Sequence, residues 1–574
     1  YDKLLKMIQN AKLVICLDAD LDVETVKCLI MGYAGQVVVM DNPNQNWRGR
    51  QVVMNDDATV KAMGHHALYK NKRVLMPVAS LRRAEALAQI YAKRHPDKKI
   101  WLITSKTVKD YQDFILNPNQ ILERDKPDLI IYTTVIGSGF SIDLEGYFDE
   151  CLLFGDRHLT PDTLHQMMGR YRHWQRFNCS IPKIGHHSNK SREEHYQEIF
   201  DKADLELESL SHNKVITVDR THPYYDLVAD IKFTTSESRR YLRYNFEAKV
   251  IASGAELKQG QQANQEEQTL AKKSLRVAQV EARTKQFEKA YQLHQDNPMS
   301  EAEAKQYVES RLLRGGDDWL RFVAFDYEQF YKTSVTIEGL LEDDYGERQK
   351  QILAYERLLM SRDEVEKLSQ DVIDEAITPY GLDATSVKGY LTMWDLGHNL
   401  LQALGATFDQ DGLLDISSVK KITKDLLLSN PDFIQFIEDN RNQINRCHFG
   451  FTVTDNTLND PIKFVRMVLT KLGLETYSRR SGNKRRYFIC QKELSKLNEV
   501  VIQRRKNASY QPVDKKPLPD EVAHESYTEE INGVIYQFND DGSGQIKAYL
   551  EDRPPLEPDL VASERPLAEQ MAYL

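Results

Sequence analysis

The feature that most constrains the fold of this chain is a regular alternation of short apolar runs with helical stretches between residues 11 and 180. The apolar runs are rich in Val, Ile, Leu and Met and lie at residues 13–17, 36–40, 73–78, 99–103, 129–132 and 151–154. Helical stretches separate them at residues 23–33, 58–69, 81–93 and 160–169. Because buried parallel strands need crossover helices, the alternation predicts an α/β fold with a parallel, doubly wound sheet.

The composition changes after residue 200, and the change predicts several further regions. Residues 201–430 read as a helical accessory region with a helical arm at residues 254–312. Residues 261–312 are rich in Gln, Glu, Lys and Ala, which suits a solvated helical arm or a short coiled coil. Residues 431–510 read as a compact α/β-like unit. Residues 511–574 are dominated by Pro, Asp and Glu, so we expect a largely disordered acidic tail in which residues 531–538 still form a strand.

The net charge of −10 conceals a strongly basic segment. Residues 461–506 contain 13 Lys and Arg against three Glu, whereas residues 511–574 contain 14 acidic and five basic residues. A compact basic segment in an acidic chain predicts one module that binds a polyanion, and it excludes a protein that is basic throughout.

Other features of the sequence argue against a membrane protein and a metal centre. No apolar run approaches the ~20 residues that a membrane span needs. The six cysteines form no C-x-x-C pair, which is typical of reduced thiols in the cytoplasm, and Cys179 with His186 and His187 matches no zinc motif. We therefore expect a cytoplasmic protein with no membrane contact and no metal-binding cluster of its own.

Polar motifs follow several of the predicted strands, where ligands bind in open parallel sheets. Asp18 and Asp20 follow the first run, where an acid could reach a metal or a water, or simply cap the next helix. Ser80 follows the run at 73–78, and its hydroxyl and backbone N–H suit a phosphate, although a helix cap is the commoner use. The remaining candidates follow the next two strands: Ser105 and Lys106, then Thr133, Ser138, Gly139 and Ser141.

Two arginines follow the helical stretch at 160–169. The motif Q-x-x-G-R-x-R, with Gln166, Gly169, Arg170 and Arg172, puts two permanently charged groups beside a glycine. This suits a polyphosphate, because a guanidinium binds oxyanions as a bidentate fork and stabilises the charge that develops in phosphoryl transfer. The alternative is that both cations only complement the negative end of the helix dipole.

The order of these motifs resembles the second motor domain of a superfamily 2 helicase: a strand with Ser, a strand with Ser-Lys, a strand with T-x-x-x-x-S-G, and a helix with Q-x-x-G-R-x-R. The segment Asp18-Ala19-Asp20 resembles the third motif of such enzymes, at the end of the first motor domain. The forms D-A-D-L, S-G-x-S and G-R-x-R are similar to those of herpesvirus-type origin-binding helicases. They are more similar still to those of plasmid replication proteins first described from cyanobacteria.

This resemblance implies a RecA-like motor domain at residues 36–200, preceded by the end of a first motor domain at residues 1–35. It also implies that ATP and Mg²⁺ are the cofactors and that Arg170 and Arg172 are catalytic, facing the phosphates. The nucleotide contacts that it implies are Gln166, Gly169, Ser138, Gly139, Asp18 and Asp20. The DNA contacts that it implies are Ser80, Ser105, Lys106, Thr133 and Ser141.

The chain also departs from the helicase pattern. It contains no G-x-x-x-x-G-K-[ST] phosphate loop and no DExx box at the end of a suitable strand. Its second motif arginine follows the glycine by three residues, against four in the commonest helicase form. The simplest explanation is that the first motor domain lay upstream of Tyr1. We therefore expect that this chain alone does not hydrolyse ATP and that another domain completes the nucleotide site.

The basic segment has the pattern of a winged helix-turn-helix. An amphipathic helix at 461–469 is followed by a strand, a Gly-Asn turn and a second strand within residues 478–489. Basic residues of the hairpin and of the closing helix are the candidate phosphate contacts: Arg479, Arg480, Lys484, Arg485, Arg486, Arg504 and Arg505. Tyr487, if exposed, would stack on a base. The alternative is an ordinary solvated hairpin.

Together these features predict the C-terminal part of a plasmid or mobile-element replication protein, an ATP-dependent DNA helicase that binds and unwinds origin DNA. Its partners would be duplex origin DNA, single-stranded DNA and other replication proteins, at the nucleoid or plasmid of a bacterial cytoplasm. A non-catalytic origin-binding initiator that recruits a separate helicase is the alternative. A restriction or repair translocase is a weaker third reading, and the sequence carries neither a nuclease nor a methylase signature for it.

Overall fold

A computed structural model describes most of the chain. It covers residues 2–11, 14, 45–136, 139–209, 220–309, 316–378, 381–419, 422–446, 451, 453–481, 484–506, 527–531 and 534–538. The predicted strands at 13–17 and 36–40 and the predicted helix at 23–33 lie outside these residues, as do Asp18, Asp20 and Ser138.

The centre of the first part is a seven-stranded sheet in which every neighbouring pair is parallel. Its strands are β1 (Gln51–Met54), β2 (Val74–Pro77), β3 (Ile100–Ile103), β4 (Leu129–Tyr132), β5 (Glu150–Phe154), β6 (Arg176–Ser180) and β7 (Glu256–Gln259). Their spatial order is β3-β4-β2-β5-β6-β1-β7. The predicted α/β class with a parallel sheet is confirmed, and the arrangement is compatible with a RecA-like domain.

The described helices up to β6 begin, in three cases, at a side-chain cap. They are α1 (Asp2–Asn10), α2 (Asp57–Tyr69), α3 (Leu81–Arg94), α4 (Gln112–Leu116), α5 (Pro118–Asp125) and α6 (Pro161–Gly169), with a 3-10 turn at Val108–Tyr111. The side chains of Asp56, Ser80 and Thr160 accept hydrogen bonds from the backbone N–H groups three residues on and start α2, α3 and α6. These three helices match the predicted ones within one or two residues.

The sheet continues beyond the predicted boundary at residue 200. Three more helices follow β6, namely α7 (Arg192–Ser209), α8 (Pro223–Arg240) and α9 (Leu242–Ala252). The side chains of Leu242, Phe246 and Val250 on α9 are buried in the core on one face of the sheet. Strand β7 then pairs with β1, with Leu257 opposite Val52. The α/β domain that contains the sheet therefore extends to about residue 259. The polar sequence of this edge strand lacks the apolar signal that marks the other strands.

The predicted arm is a helix of 32 residues, α10 (Gln265–Asp296), but it is packed rather than solvated. It begins at a capping box formed by Asn264 and Glu267. It runs against α3, and its Ala271, Ala278 and Phe287 are buried. Alanines permit close helix packing with little apolar side-chain area, so composition alone made this helix look solvated.

Most of the remaining chain is helical. The helices are α11 (Glu301–Glu309), α12 (Gly316–Tyr331), α13 (Ile337–Asp343), α14 (Glu347–Leu359), α15 (Arg362–Ala376), α16 (Tyr390–Ala403), α17 (Lys424–Leu428), α18 (Pro431–Asp439), α19 (Arg441–Arg446), α20 (Asp455–Asn459), α21 (Ile462–Lys471) and α22 (Gln491–Lys506), with a 3-10 turn at Ala384–Ser386. Within the described ranges, no helix combines the length and the apolar character that crossing a membrane requires.

Four antiparallel strand pairs complete the structure. They are β8 (Ile377–Thr378) with β9 (Gly381–Leu382), β10 (Thr407–Phe408) with β11 (Leu414–Asp415), β12 (Thr476–Ser481) with β13 (Lys484–Ile489), and β14 (Tyr527–Ile531) with β15 (Val534–Phe538). Residues 534–538 form a strand within the expected one at 531–538, but Ile531 ends the preceding strand β14 instead of beginning the same strand. The rest of the predicted disordered tail lies outside the described residues.

One apolar core joins the helical region to the basic segment. It includes Tyr355 of α14, Leu400 of α16, Val468 of α21 and Leu497 of α22. Gly473 has a φ of +80° where the chain turns from α21 into β12, and a Cβ there would collide with a carbonyl oxygen of α14. The predicted boundary at residue 430 therefore does not separate two cores, because helical periodicity does not indicate which helices pack together.

Candidate functional site

Three of the predicted motifs follow adjacent strands and meet at one edge of the sheet. Strands β3, β4 and β2 are neighbours, and the turns after them carry Ser105, Thr133 and Ser80 respectively. Because the strands are parallel, these turns lie at the same carboxyl edge, where open α/β sheets bind ligands.

The loop after β4 that contains Gly139, Ser141 and Ile142 is joined to the loop after α6 that contains Arg170 and Arg172. We call them the glycine loop and the arginine loop. The backbone N–H of Ile142 donates to the carbonyl of Arg170 at 2.7 Å, and the N–H of Arg172 donates to the carbonyl of Ile142 at 3.1 Å. Gly139, with a φ of +88°, takes a left-handed conformation that suits glycine and begins the described part of this loop. The structure thus brings together two motifs that lie some thirty residues apart in the sequence.

Arg172 is held by side chains of the glycine loop. Its Nε donates to Ser141 Oγ at 2.6 Å and lies 3.3 Å from Asp143 Oδ1. Asn119 Oδ1 accepts the backbone N–H of Asp143 at 2.9 Å and fixes the acid in turn. The Arg172 side chain is 67% exposed, so this is a surface clamp between two loops. No sequence motif indicated Asp143, whose only signal was its position two residues after Ser141.

Arg170 differs from Arg172 because its guanidinium has no ion-pair partner among the described residues. It follows directly on α6, is half-buried and, among the described residues, its guanidinium makes neither a hydrogen bond nor an ion pair. Its cation acts on Tyr132, at the end of β4: burial raises the pKa of this phenol far above its usual value, and Arg170 opposes the rise. The Tyr132 hydroxyl donates to the carbonyl of Met167 at 2.5 Å and ties α6 to the strand. Gly169 is exposed, and Gln166 is half-buried.

A second set of contacts supports the arginine loop from the segment before β1. Arg50 Nη2 donates to the carbonyl of Arg172 at 2.6 Å, and its guanidinium lies over the Trp174 ring at 5.0 Å. The Trp47 ring stacks on His165 of α6 at 3.8 Å. The loop is therefore fixed on both sides, by Asp143 and by Arg50. Neither residue belongs to a motif that the sequence analysis used.

Two of the predicted DNA contacts at the sheet edge, Ser80 and Thr133, make hydrogen bonds within the protein. The Ser80 hydroxyl accepts the backbone N–H of Arg83 at 3.4 Å, which is the helix cap given as its alternative. Thr133 is buried, and its backbone N–H donates to the carbonyl of Ile103. Ser105 is half-buried. The DNA contacts of these three residues stay predictions.

Lys106 lies inside the contact between the sheet and the helices that follow it. Its Nζ is 3.0 Å from Glu85 Oε1 on α3, donates to Gln286 Oε1 on α10 at 2.8 Å, and lies 4.5 Å from the centre of the Tyr345 ring. Burial lowers its pKa, and Glu85 opposes the shift. The expected DNA contact of Lys106 thus does not match its position, because its charge is paired and covered.

Arg504 is likewise an interior residue rather than a surface cation. Its side chain is 9% exposed, and its Nε donates to Glu356 Oε1 on α14 at 2.7 Å. Its guanidinium lies 3.7 Å from the centre of the Phe330 ring. The expected DNA contact of Arg504 fails for the same reason as that of Lys106. Arg505 is exposed, and its Nη1 donates to the carbonyl of Asp411 at 2.9 Å.

The predicted basic hairpin exists, and its register brings like charges together. Arg479 lies directly opposite Arg486, and Arg480 lies opposite Arg485. Among the described residues, the guanidinium groups of Arg479, Arg480 and Arg486 make no hydrogen bond and no ion pair with an acid. Lys484 begins β13. A hairpin with facing, unpaired cations favours a polyanionic ligand over the ordinary solvated hairpin.

Tyr487 does not have the exposure that base stacking requires. It is 9% exposed, and its backbone exchanges two hydrogen bonds with Ile422. The Arg466 guanidinium lies over its ring at 4.7 Å. The expectation that Tyr487 stacks on a base is therefore wrong. The exposed aromatic of the hairpin is Tyr477, which lies opposite Phe488.

Comparison with known proteins gives a partial match to viral replication proteins. Over 169 residues, 29% of its length, the chain is 27% identical to proteins of African swine fever virus isolates from a warthog in Namibia and a tick in South Africa. Each of these is named "Putative helicase/primase complex protein". The aligned segment spans 16% of these relatives, so the chain matches only a small part of them. No protein-family model matches the chain.

Proposed function

We propose that this chain is the C-terminal part of a plasmid or mobile-element replication protein, an ATP-dependent DNA helicase that binds and unwinds origin DNA. In this proposal the sheet and the helices around it are the second motor domain, the helical region supports it, and the β12–β13 hairpin holds DNA. The protein would act at the nucleoid or plasmid of a bacterial cytoplasm, with other replication proteins as partners.

The observation that carries the motor assignment is the pairing of the glycine loop with the arginine loop. Backbone hydrogen bonds between Ile142 and residues 170 and 172 fix the two loops against each other. They hold Arg170 beside the carboxyl end of β4 with its guanidinium unpaired among the described residues. A fixed, unpaired guanidinium beside an exposed glycine supports a role in binding a polyphosphate.

The residues of this edge fit ATP through Arg170. Bound ATP with Mg²⁺ would supply the phosphoryl transfer, and a fixed guanidinium stabilises the negative charge that develops in it. Arg172 already faces Asp143 and Ser141, so we infer that it holds the loops in position rather than facing the phosphates. The nucleotide contacts expected of Gln166, Gly169 and Gly139 belong to the same proposal.

The basic hairpin supports the DNA-binding part of the proposal. Arg479, Arg480 and Arg486 lie on two adjacent strands without acidic partners among the described residues. Phosphates would neutralise these charges, and the release of counterions from DNA would drive binding. Such contacts hold the backbone and carry no sequence information, so they support DNA binding without identifying an origin.

The viral relatives support a role in replication at a coarse level. Their name places them in a helicase/primase complex, which agrees with a helicase part in this chain and with other replication proteins as partners. The plasmid context, the recognition of an origin and the bacterial location rest on the motif resemblance alone.

The experiment that tests the proposal compares DNA-stimulated ATP hydrolysis by this chain with that of a protein extended by the coding sequence that precedes residue 1. We expect stimulation of the extended protein only, because the phosphate loop is absent from these 574 residues. The same proteins are tested for separation of a forked duplex. An extended protein that binds DNA but neither hydrolyses ATP nor separates strands would contradict the helicase and favour the non-catalytic initiator.

A further inference from the structure

The β12–β13 hairpin carries an aromatic pair, an exposed Tyr477 beside a half-buried Phe488, that has no role in the proposal above. Tyr477 and Phe488 are opposite each other in the strand register, with ring centres 5.3 Å apart and planes inclined by 21°. Tyr477 is 38% exposed. Side chains alternate between the two faces of a strand, so this pair shares a face with Arg479 and Arg486, two register pairs along. We call this the outer face of the hairpin.

The opposite face of the hairpin is the one that packs on the protein. Tyr487 and Ile489 are buried there, and Tyr487 pairs with the backbone of Ile422. Arg466 of α21 covers the Tyr487 ring and donates to Thr476 Oγ1 at 3.4 Å. The core thus holds one face of the hairpin and turns the outer face with Tyr477 outwards.

The charges of the outer face are unfavourable for the hairpin by itself. Like charges directly opposite each other destabilise an antiparallel pair, and Arg479 faces Arg486 without an acidic partner among the described residues. The Arg479 guanidinium lies 5.4 Å from the centre of the Tyr477 ring. A flat ring and two cations therefore form one continuous surface whose charge the fold does not neutralise.

The chemistry of this surface selects a ligand with both flat faces and negative charges. Double-stranded DNA offers phosphates but keeps its base faces stacked inside the duplex. Single-stranded nucleic acid offers both, and proteins bind it by stacking bases on aromatic rings within a positively charged groove. An acidic peptide would pair with the arginines but would not use the aromatic pair.

We propose that the outer face of the β12–β13 hairpin binds single-stranded DNA. Tyr477, backed by Phe488, stacks on an unpaired base, while Arg479 and Arg486 hold the flanking phosphates. This inference rests on the proposed function, which assigns DNA binding to the hairpin, and it names the strand form that the hairpin holds. An unwinding protein needs such a contact to keep separated strands apart.

The test measures the binding of the full chain to three fluorescently labelled probes of equal length by anisotropy: an oligothymidine, a duplex, and an abasic strand with phosphates but no bases. We expect Tyr477→Ala to weaken oligothymidine binding by about fivefold to a hundredfold, the range that alanine substitution at a stacked base gives. Binding to the duplex and the abasic strand should stay within about twofold of the unmodified chain, and Tyr477→Phe should restore oligothymidine binding.

The matched control is Tyr69→Ala. Tyr69 is 74% exposed on α2 and, like Tyr477, has a cation near its ring, since Lys70 Nζ lies 5.8 Å from the ring centre. This variant should bind all three probes like the unmodified chain. Thermal melting of each variant tests folding, and Tyr477→Leu, which keeps the bulk and loses the aromatic face, replaces Tyr477→Ala if the latter melts early.

Two results separate this inference from the proposed function. If Arg479→Gln/Arg486→Gln weakens binding to every probe while Tyr477→Ala leaves oligothymidine binding unchanged, the hairpin binds DNA but the stacking inference is wrong. Equal losses of oligothymidine and abasic-strand binding in Tyr477→Ala would also contradict it. If neither variant changes the binding of any probe, the hairpin is not the DNA-binding surface and both proposals fail.

Discussion

The carboxyl edge of the parallel sheet and the basic hairpin use positive charge in opposite ways. At the edge, Arg172 faces Asp143, and Lys106 is paired with Glu85 where the helical region packs on the sheet. On the outer face of the hairpin, Arg479 and Arg486 lie opposite each other, and among the described residues neither forms an ion pair with an acid. Only Arg170 at the edge resembles the hairpin arginines in having no such partner among those residues.

This difference shows that a ligand-binding cation is identified by the absence of an Asp or Glu partner, and not by the number of Lys and Arg residues in its segment. Arg504 belongs to the segment with 13 Lys and Arg, yet it is buried against Glu356 and Phe330. A buried cation with a carboxylate serves the fold, and an unpaired surface cation is free to serve a ligand.

The largest effect is expected at the buried pair. Glu356→Gln leaves the Arg504 guanidinium buried without its carboxylate, so the free energy of unfolding should fall by about 3–5 kcal/mol. Urea denaturation followed by circular dichroism measures the change. The control is Glu347→Gln, which removes an exposed pair with Lys350 and should cost less than about 1 kcal/mol. Similar losses in both variants would mean that Arg504 is solvated and available to DNA.

The next effect concerns the hairpin arginines. The triple variant Arg479→Gln/Arg480→Gln/Arg486→Gln should weaken duplex binding by roughly a thousandfold or more at low salt, since each of the three charged contacts is worth on the order of 1.5 kcal/mol. The plot of log affinity against log salt should become shallower by about 3, because three phosphate contacts are lost. Replacing three exposed lysines of α10 (Lys272, Lys273 and Lys285) by Gln is the control for net charge. Equal losses in both triple variants would point to diffuse attraction instead of a hairpin site.

A smaller effect is expected for Lys106. Lys106→Met keeps the packing of the aliphatic stem but leaves Glu85 without its cation, which should lower the free energy of unfolding by about 2 kcal/mol. The affinity for DNA should stay within about twofold of the unmodified chain, because Nζ is enclosed by Glu85, Gln286 and Tyr345. Normal stability together with a large loss of DNA affinity would restore Lys106 to the DNA contacts that the sequence suggested.

The smallest effect is expected for the surface clamp. Asp143→Asn removes an ion pair whose Arg172 side chain is mostly exposed, so the free energy of unfolding should fall by less than about 1 kcal/mol. Asp143→Glu is the conservative control. A loss above 2 kcal/mol in chemical denaturation would show that the two loops form part of the folding core.

The sequence alone was sufficient to predict the strands whose residues are strongly apolar. Strands β2 and β4 are buried along their whole length, and their Val, Ile and Leu content predicts them within a residue or two. The sequence also predicted the cap at Ser80, because Ser is a preferred residue directly before a helix, where its hydroxyl accepts a backbone N–H of the first turn. The glycine and arginine motifs also identified two loops that the structure joins.

The sequence could not supply contacts between distant elements. The edge strand β7 carries polar side chains, so no apolar pattern marks it. The partners of Lys106 and Arg504 lie on helices far away in the chain, and only the packed structure brings Glu85 and Glu356 to them. On the hairpin, alternation separates Tyr477 from Tyr487, but which face meets the core depends on α21 and Ile422.

The most direct test of the central claim is the effect of Arg170→Ala on DNA-stimulated ATP hydrolysis by the extended protein. The control is Arg176→Ala, at an exposed arginine that begins β6. We predict that Arg170→Ala lowers the turnover rate by about a thousandfold or more while DNA affinity is unchanged, because an arginine that faces the γ-phosphate is worth that much in phosphoryl transfer. Arg176→Ala should hydrolyse ATP at the unmodified rate. Near-normal turnover in Arg170→Ala would remove this arginine from the nucleotide site and contradict the assignment of a motor domain.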